Sequence, residues 1–294
     1  MRVLPHLARH DCFALKGGTA INLFVRDLPR LSVDIDLAYL LVNDRAEALT
    51  DIRQHFDALE QELLGALPGL RVQGPAPASQ SQRLTLTFHG VQIKIELSPV
   101  LRGAVWPVEV REVSPKVEEV FGYAAAAVVS LNDLYAGKIC AALDRQHPRD
   151  LFDVMLLLDN EGISRDLLTA FLVYLISGDR PMTELLAPKR KDIAALYDAE
   201  FRAMTVEPVA LDALLETRER LIAELHAKLT DADRAFLISV KSREPDWGLL
   251  GLAAVADLPA VKWKLLNLDR MAPEKHAAAV ANLKSVLSGK RPGG

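Results

Sequence analysis

Apolar and polar side chains alternate in several short segments of the first half of the chain. A period of two is typical of a β-strand with one buried face, and it runs through residues 31–37, 82–88 and 91–97. The last two segments are separated only by His89 and Gly90, which suits a tight hairpin turn. The pattern therefore predicts a sheet that includes a β-hairpin.

Helical spacing of apolar positions appears once early in the chain and then dominates its second half. Residues 44–67 form the early stretch, and residues 69–81, rich in Pro, Gly, Ala and Ser, predict a loop after it. Ser130 is a suitable N-cap for the first of the later helices, which are predicted at 131–143, 150–158, 165–176, 192–201, 211–229 and 259–268. We predict a sheet domain over 1–125, a helical domain over 126–294 and a frayed tail from Ser288.

A glycine pair lies between a short apolar segment and a stretch with helical spacing. The sequence there is Lys16-Gly17-Gly18-Thr19, which predicts a strand, a turn and a helix. The first N–H groups of a helix have no partner within it and can bind an anion. We expect this turn to accommodate a phosphate.

The alternation in residues 31–37 places Ser32, Asp34 and Asp36 on one face of a strand. Two such carboxylates suit one or two divalent cations. A solvated strand face is the alternative for an Asp-x-Asp alone, but its combination with the glycine turn favours metal-assisted chemistry on a nucleotide.

Glu96 offers a third carboxylate. It shares a strand face with Gln92 and Lys94, and it can complete the metal site if this strand lies beside that of Asp34 and Asp36. The alternative is that Glu96 pairs with Lys94 or with a neighbouring Arg on an exposed sheet face.

Composition limits the classes of function. The 294 residues are 50% apolar, which is enough for one large core or two moderate ones. The net charge of −4 argues against broad, sequence-independent binding of nucleic acid. The chain has neither an apolar run long enough to span a bilayer nor a signal peptide core at its start, so we expect a cytoplasmic protein without a membrane segment.

Metal binding by sulfur or imidazole is not expected from the sequence. The two cysteines, Cys12 and Cys140, lie in apolar contexts and are expected to be buried thiols, neither disulfide-bonded nor metal-bound. His6 and His10 have the spacing of helical metal ligands, but Pro5 and the lack of a third ligand argue against zinc.

The order of these motifs resembles that of the DNA polymerase β-like nucleotidyltransferases and, within them, the AbiEii toxins of type IV toxin–antitoxin systems. The resemblance covers nearly the whole chain. It rests on residues 15–20, Arg30, Ser32, Asp34-Ile35-Asp36, 133–139, 148–153 and 259–268.

This resemblance implies an α+β or α/β fold, with a mixed sheet of the polymerase β type and a helical domain that completes the active-site cleft. It implies Mg²⁺ or Mn²⁺ as cofactor and an NTP as substrate. The residues expected to bind the nucleotide are Lys16, Gly17, Gly18, Thr19, Ser32, Lys138 and Asp150. The metal ligands are expected to be Asp34, Asp36 and Glu96, and the catalytic residues Asp34, Asp36, Lys138 and Asp153.

The resemblance also implies a biological role. The acceptor would be the 3′ end of tRNA, so translation would stop, and the partner would be a cognate antitoxin, a helix-turn-helix protein encoded nearby. Alternatives are an NTP-binding or GTP-binding growth-arrest module without transfer, and nucleotidyl transfer to a protein or small molecule. For Lys138 the alternative is a salt bridge with Asp150 or Asp153, which would contribute little if exposed.

Overall fold

The computed structural model describes residues 1–32, 34–74 and 82–289. They form two compact units, one of Met1–Ser130 with Met204–Glu207 and the other of Leu131–Ala203 with Pro208–Gly294. Four residues from the second half of the sequence thus belong to the first unit, where the Leu31 amide donates to the Met204 carbonyl at 2.9 Å.

The first unit is built on a seven-stranded mixed sheet in the order β3-β4-β5-β2-β1-β7-β6. The pairs β2–β5 and β1–β7 are parallel, and the other neighbours are antiparallel. The strands are β1 (Phe13–Lys16), β2 (Asp34–Tyr39), β3 (Arg71–Gln73), β4 (Gln82–Phe88), β5 (Val91–Arg102), β6 (Glu109–Glu112) and β7 (Ala125–Val128). The predicted α+β class is confirmed.

The alternating segments form the predicted strands, with some differences. β2 begins at Asp34 and Val33 lies outside the described residues, while His89 and Gly90 form the predicted turn with φ of 48° and 80°. The loop predicted over 69–81 is wrong for Arg71–Gln73, because this short strand is held by pairing with β4 and is too short to show alternation. Residues 75–81 lie outside the described part of the chain.

The helices of the first unit are α1 (Leu4–Leu7), α2 (Gly17–Ala20), α3 (Arg45–Ala66) and α4 (Pro115–Phe121), and α2 continues as a π-helical turn over Ile21–Val25. The buried stripe of α3 has the spacing of one helix face and comprises Ala48, Ile52, Phe56, Leu59 and Leu63. It packs on the β3–β4–β5 end of the sheet. Fully burying each large apolar side chain stabilises the fold by about 1.5–3 kcal/mol.

The second unit is helical. Its α-helices are α5 (Leu131–Arg145), α6 (Pro148–Asn160), α7 (Arg165–Ser177), α8 (Met182–Leu186), α9 (Ala194–Glu200), α10 (Leu211–Lys228), α11 (Asp231–Lys241), α12 (Trp247–Leu250), α13 (Pro259–Asp269) and α14 (Pro273–Leu287). The six predicted helices are present, and α8, α11, α12 and α14 are additional. Within the described ranges, no helix combines the length and the apolar character that crossing a bilayer requires.

A buried carboxylate fixes the start of α11. Asp233 is fully buried, closes a capping box with Thr230 and accepts two hydrogen bonds of 2.6 Å from Arg165. Burial raises the pKa of Asp233, but the hydrogen bonds from Arg165 and Thr230 outweigh that effect and hold it below its ordinary value. The carboxylate therefore links α11 to α7.

We expect Asp233→Asn to lower the free energy of unfolding at pH 7 by about 1.5–3 kcal/mol, since hydrogen bonds to a charged group are lost. Because the pKa of Asp233 is lowered in the folded state, its ionised carboxylate stabilises the fold fully at a pH above the unfolded pKa of about 3.9. That stabilisation is lost as the pH falls from there through the folded-state pKa. Urea unfolding at pH 7 and at pH 3 should therefore show a difference between variant and wild type that shrinks in acid. Asp231→Asn, an exposed change in the same turn, is the control, and an equal loss in both variants would contradict the assignment.

Candidate active site

The glycine turn at the end of β1 is shaped around Asp36. Gly17 has a φ of +71°, and a Cβ at this position would overlap the carboxylate of Asp36. A Cβ on Gly18 would lie 2.7 Å from Nη2 of Arg30. No residue type other than glycine fits both this backbone conformation and a carboxylate so close to position 17.

A row of charged residues crosses the sheet beside this turn. Strand pairing places Lys16 opposite Asp36, Asp36 opposite Glu96, and Glu96 opposite Arg83. Residues opposite one another on paired strands lie on the same face, so these four side chains form one row in which two adjacent carboxylates lie between two basic residues. The sheet thus brings Glu96, the predicted third carboxylate, next to Asp36.

Asp34 lies two residues before Asp36 on the same face of β2, opposite Lys94 of β5. Both aspartates are partly exposed, whereas Ile35 and Leu37 between and after them are buried. The predicted alternation is therefore present, with the carboxylates directed away from the core.

Lys16 and Glu96, which flank Asp36 on the neighbouring strands, differ in their surroundings. Burial lowers the pKa of Lys16, and the charge of Asp36 acts in the opposite direction. Glu96 forms an ion pair of 2.7 Å with Nε of Arg83, which is the alternative that the sequence left open. A role for Glu96 as a metal ligand stays a prediction.

Polar contacts hold the glycine turn to β2. The Thr19 hydroxyl donates to the Asp34 carbonyl and lies 2.9 Å from the Ser32 hydroxyl. Sequence reasoning missed Asn22, which is fully buried and donates from Nδ2 to the Gly18 carbonyl at 2.7 Å. An asparagine four residues after Gly18, in an otherwise apolar stretch with helical spacing, is the sequence signal that could have revealed it.

The donor set fits a hard divalent cation. Asp34 and Asp36 offer carboxylate oxygens on one accessible face, and Gly17 leaves room for the Asp36 carboxylate at the turn. Mg²⁺ prefers one or two carboxylates together with substrate phosphates and water. The first amides of the adjoining helix can bind an anion there.

The second unit holds a separate buried charge cluster. Lys138 of α5 lies 3.0 Å from Asp150 and 3.0 Å from Asp153 of α6, and Arg145 reaches Asp150 at 2.8 Å. Asp150 lies in the first turn of α6, and Asp153 one turn later on the same face. The salt bridge considered from the sequence therefore forms with both aspartates.

This cluster is buried, which the sequence did not indicate. Lys138 is 7% exposed and Asp153 is fully buried. Burial acts to raise the pKa of Asp150, but the charges of Lys138 and then Arg145 hold it below its ordinary value. The Lys138 ammonium therefore lies between two buried carboxylates.

Comparisons with known proteins identify a family and a solved structure of similar fold. The family model described as the nucleotidyl transferase AbiEii toxin, Type IV TA system, matches residues 1–267. No curated protein sequence matches the chain. The solved structure of MenT4, a nucleotidyltransferase toxin from Mycobacterium tuberculosis H37Rv, has a similar fold, with a TM-score of 0.57, 17% identity, and coverage of 96% of this chain and 89% of that one.

Proposed function

This chain belongs to the AbiEii family of nucleotidyltransferase toxins of type IV toxin–antitoxin systems, and from that premise we propose that it transfers a nucleotide from an NTP to the 3′ end of tRNA. A tRNA whose 3′ end carries an added nucleotide cannot be aminoacylated, so translation stops. The proposed place of action is the cytoplasm, where tRNA is charged.

The observation that carries this proposal is the packing of Asp36 against Gly17. It brings a carboxylate of β2 to the turn at which the next helix begins, where the first amides of a helix can bind an anion, and Asp34 lies on the same face. A phosphate and a metal-binding carboxylate are both needed at one place for nucleotidyl transfer.

Each group of residues has a distinct task in this proposal. The amides at Gly17, Gly18 and Thr19 bind the triphosphate, while Lys16 adds positive charge beside it. Ser32 and Thr19 hold the turn against β2 through their hydroxyls. These contacts orient the α-phosphorus toward the acceptor.

Asp34 and Asp36, with Glu96 as the third carboxylate, would hold Mg²⁺ or Mn²⁺. When bound, the metal neutralises charge on the phosphates and favours ionisation of the acceptor hydroxyl. In the reaction the acceptor oxygen loses its proton and bonds to the α-phosphorus. The bond from the α-phosphorus to the bridging oxygen breaks, and pyrophosphate leaves.

Lys138 is proposed to bind a phosphate of the nucleotide, as the resemblance to the family implies. Asp150 and Asp153 would fix the position of its ammonium group, since both lie 3.0 Å from Nζ. Asp153 is further proposed to assist in positioning or proton transfer.

Membership in a toxin–antitoxin family implies an antitoxin partner. We propose that this antitoxin is a helix-turn-helix protein encoded beside the toxin gene. Co-expression should then relieve growth arrest, and continued arrest in the presence of every neighbouring gene product would contradict the proposal.

Incubation of the purified protein with total tRNA, Mg²⁺ and each labelled NTP in turn tests the function. We expect label to enter tRNA from at least one NTP, with release of pyrophosphate, and to stay in free nucleotide when EDTA is added. Nucleotide binding without incorporation would favour the growth-arrest module. Incorporation into protein or a small molecule instead would replace tRNA as the acceptor.

Gly17→Ala should reduce transfer strongly, because the new Cβ displaces the Asp36 carboxylate and the φ of +71° is strained for alanine. A reduction of about a hundredfold, or roughly 2.7 kcal/mol in the transition state, is expected. Gly65→Ala is the matched control, because a Cβ there has nothing within 4 Å. Equal rates of NTP incorporation for both variants would show that this contact is unimportant.

A further inference from the structure

A cysteine, an aspartate and a histidine lie together at the end of the sheet where β1 begins. Cys12 immediately precedes β1, and Asp51 and His55 are one turn apart on α3. Their possible ligand atoms all lie within 4.8 Å of one another, and His55 Nε2 is 3.7 Å from Asp51 Oδ1. Ligands that share a tetrahedral zinc lie about 3.3–3.8 Å apart, so only a small approach of the three side chains is needed.

Contacts with His10 and Phe13 fix the orientation of the His55 side chain. Its Nδ1 shares a hydrogen bond of 2.8 Å with Nδ1 of His10, and its ring packs edge-on against Phe13. When His55 is the donor in that bond, its lone pair is on Nε2, the atom nearer to Asp51. An outer hydrogen bond that fixes the tautomer is typical of histidine ligands.

Asp51 and Cys12 are held in a similar way. The Tyr39 hydroxyl donates to Asp51 Oδ2 at 2.7 Å, and Asn43 donates in turn to the Tyr39 oxygen at 3.2 Å. The Cys12 carbonyl accepts from the Leu40 amide at 2.9 Å, which fixes the backbone beside the thiol. All three candidate ligands therefore have a second set of contacts.

The outer contacts continue beyond His10. His10 is 6% exposed, and its Nε2 lies 3.8 Å from Glu62, which also contacts His6 at 3.4 Å and Arg9 at 3.2 Å. A carboxylate next to the second histidine favours a proton on that Nε2, which leaves His10 Nδ1 as the acceptor for His55. His55 is then the donor in the bond between the two Nδ1 atoms, and its lone pair lies on Nε2.

Binding of a metal by Cys12 has to displace the thiol proton, because burial, and then the negative charge of Asp51, raise the pKa of this thiol to about 12. Asp51 and His55 have side chains 31% and 33% exposed, so an ion can enter from solvent.

We propose that Cys12, Asp51 and His55 bind one zinc-class divalent cation. A set of one sulfur, one nitrogen and one oxygen ligand suits Zn²⁺ and does not suit Mg²⁺. The Cys12 thiol releases its proton to solvent as the metal–sulfur bond forms, and water takes the fourth position. The ion ties α3 to the start of β1, whereas the carboxylates of the proposed active site lie by the other end of that strand, about 13 Å away.

The proposal reverses the sequence expectation that neither cysteine binds metal. Cys12 and the pair on α3 are far apart in the sequence, so no local spacing marks the site. Packing of α3 on the sheet is what brings the three residues together.

Cobalt is the probe for this site, because tetrahedral Co²⁺ has strong visible bands and a Co²⁺–thiolate bond adds a near-ultraviolet charge-transfer band. The purified full-length protein is stripped with a chelator and titrated with Co²⁺ and then with Zn²⁺. We expect one equivalent to bind with both signals, Zn²⁺ to abolish them, and elemental analysis to give one zinc per chain.

Variants separate this site from the proposed active site. Cys12→Ser should lose the thiolate band, and His55→Ala should weaken Co²⁺ binding by about tenfold or more. Cys140→Ser is the matched control, and Asp34→Asn with Asp36→Asn should leave the Co²⁺ spectrum unchanged. Circular dichroism establishes that each variant is folded.

Zn²⁺ should also raise the melting temperature of the wild type and of Cys140→Ser, but not that of Cys12→Ser, since only the intact site binds the ion. Absence of a thiolate band in the wild type, or the same band in folded Cys12→Ser, would overturn the proposal. Neither result depends on whether nucleotide transfer is detected.

Discussion

Asp34→Asn and Asp36→Asn are each expected to reduce nucleotide transfer by at least about a thousandfold, or roughly 4 kcal/mol in the transition state. Each change removes a negative ligand from the proposed metal site while keeping the size of the side chain. The fold should be unaffected or slightly stabilised, because two carboxylates on one strand face repel one another. NTP incorporation into tRNA and thermal unfolding, measured on the same preparations, check both parts.

Asp57→Asn is the matched control for these variants, since Asp57 is an exposed aspartate on α3 of the same unit. Glu96→Gln separates the two roles left open for that residue. If Glu96 is a metal ligand, Glu96→Gln should cause a large loss of transfer. If Glu96 only pairs with Arg83, the variant should transfer normally and its stability should change by at most about 1 kcal/mol. Near-normal rates of nucleotide transfer for both Asp34→Asn and Asp36→Asn in Mg²⁺ would contradict the assignment of these aspartates as metal ligands.

Lys138→Ala is expected to have the second-largest effect, on stability as well as on transfer. The change leaves Asp150 and Asp153 buried without their shared ammonium, which costs about 3–5 kcal/mol of unfolding free energy. If Lys138 also binds a phosphate that gains charge in the transition state, transfer should slow by roughly a hundredfold or more. Thermal unfolding and NTP incorporation separate these contributions when rates are measured at a temperature at which the variant is folded.

Arg145→Ala is the control for this cluster, because Arg145 contacts Asp150 but its side chain is 63% exposed. We expect a stability loss of about 1 kcal/mol or less and normal transfer. Asp153→Asn should behave like Lys138→Ala, since it removes a fully buried partner. A lower melting temperature with full transfer in folded Lys138→Ala would assign this cluster to the scaffold alone.

Local patterns predicted the elements that have a strong period. The β4–β5 hairpin follows from alternation on both sides of His89 and Gly90, and α3 follows from its buried stripe. β6 has no such signal, because it is four residues long and exists through its pairing with β7. Strands of this length depend on tertiary contacts more than on propensity.

The sequence predicts residues for the candidate site but not the strand register that brings them together. Alternation placed Asp34 and Asp36 on one face, but the alignment of Asp36 with Glu96 depends on the parallel pairing of β2 with β5, which no local pattern determines. The burial of Lys138 likewise depends on how α5 packs against α6. Sequence periodicity identifies a helix face, but the depth at which a charged side chain lies on it is decided by the neighbouring helix.

Sequencing the 3′ ends of tRNA from growing and arrested cells tests whether the protein adds nucleotides to tRNA. Cells that express the wild-type protein are compared with cells that express Asp36→Asn at the same level, before and during growth arrest. We expect tRNA with added 3′ nucleotides only in the wild-type culture, with growth continuing in the variant culture. Growth arrest by the wild type with unchanged tRNA ends, or the same added nucleotides with Asp36→Asn, would contradict this proposal.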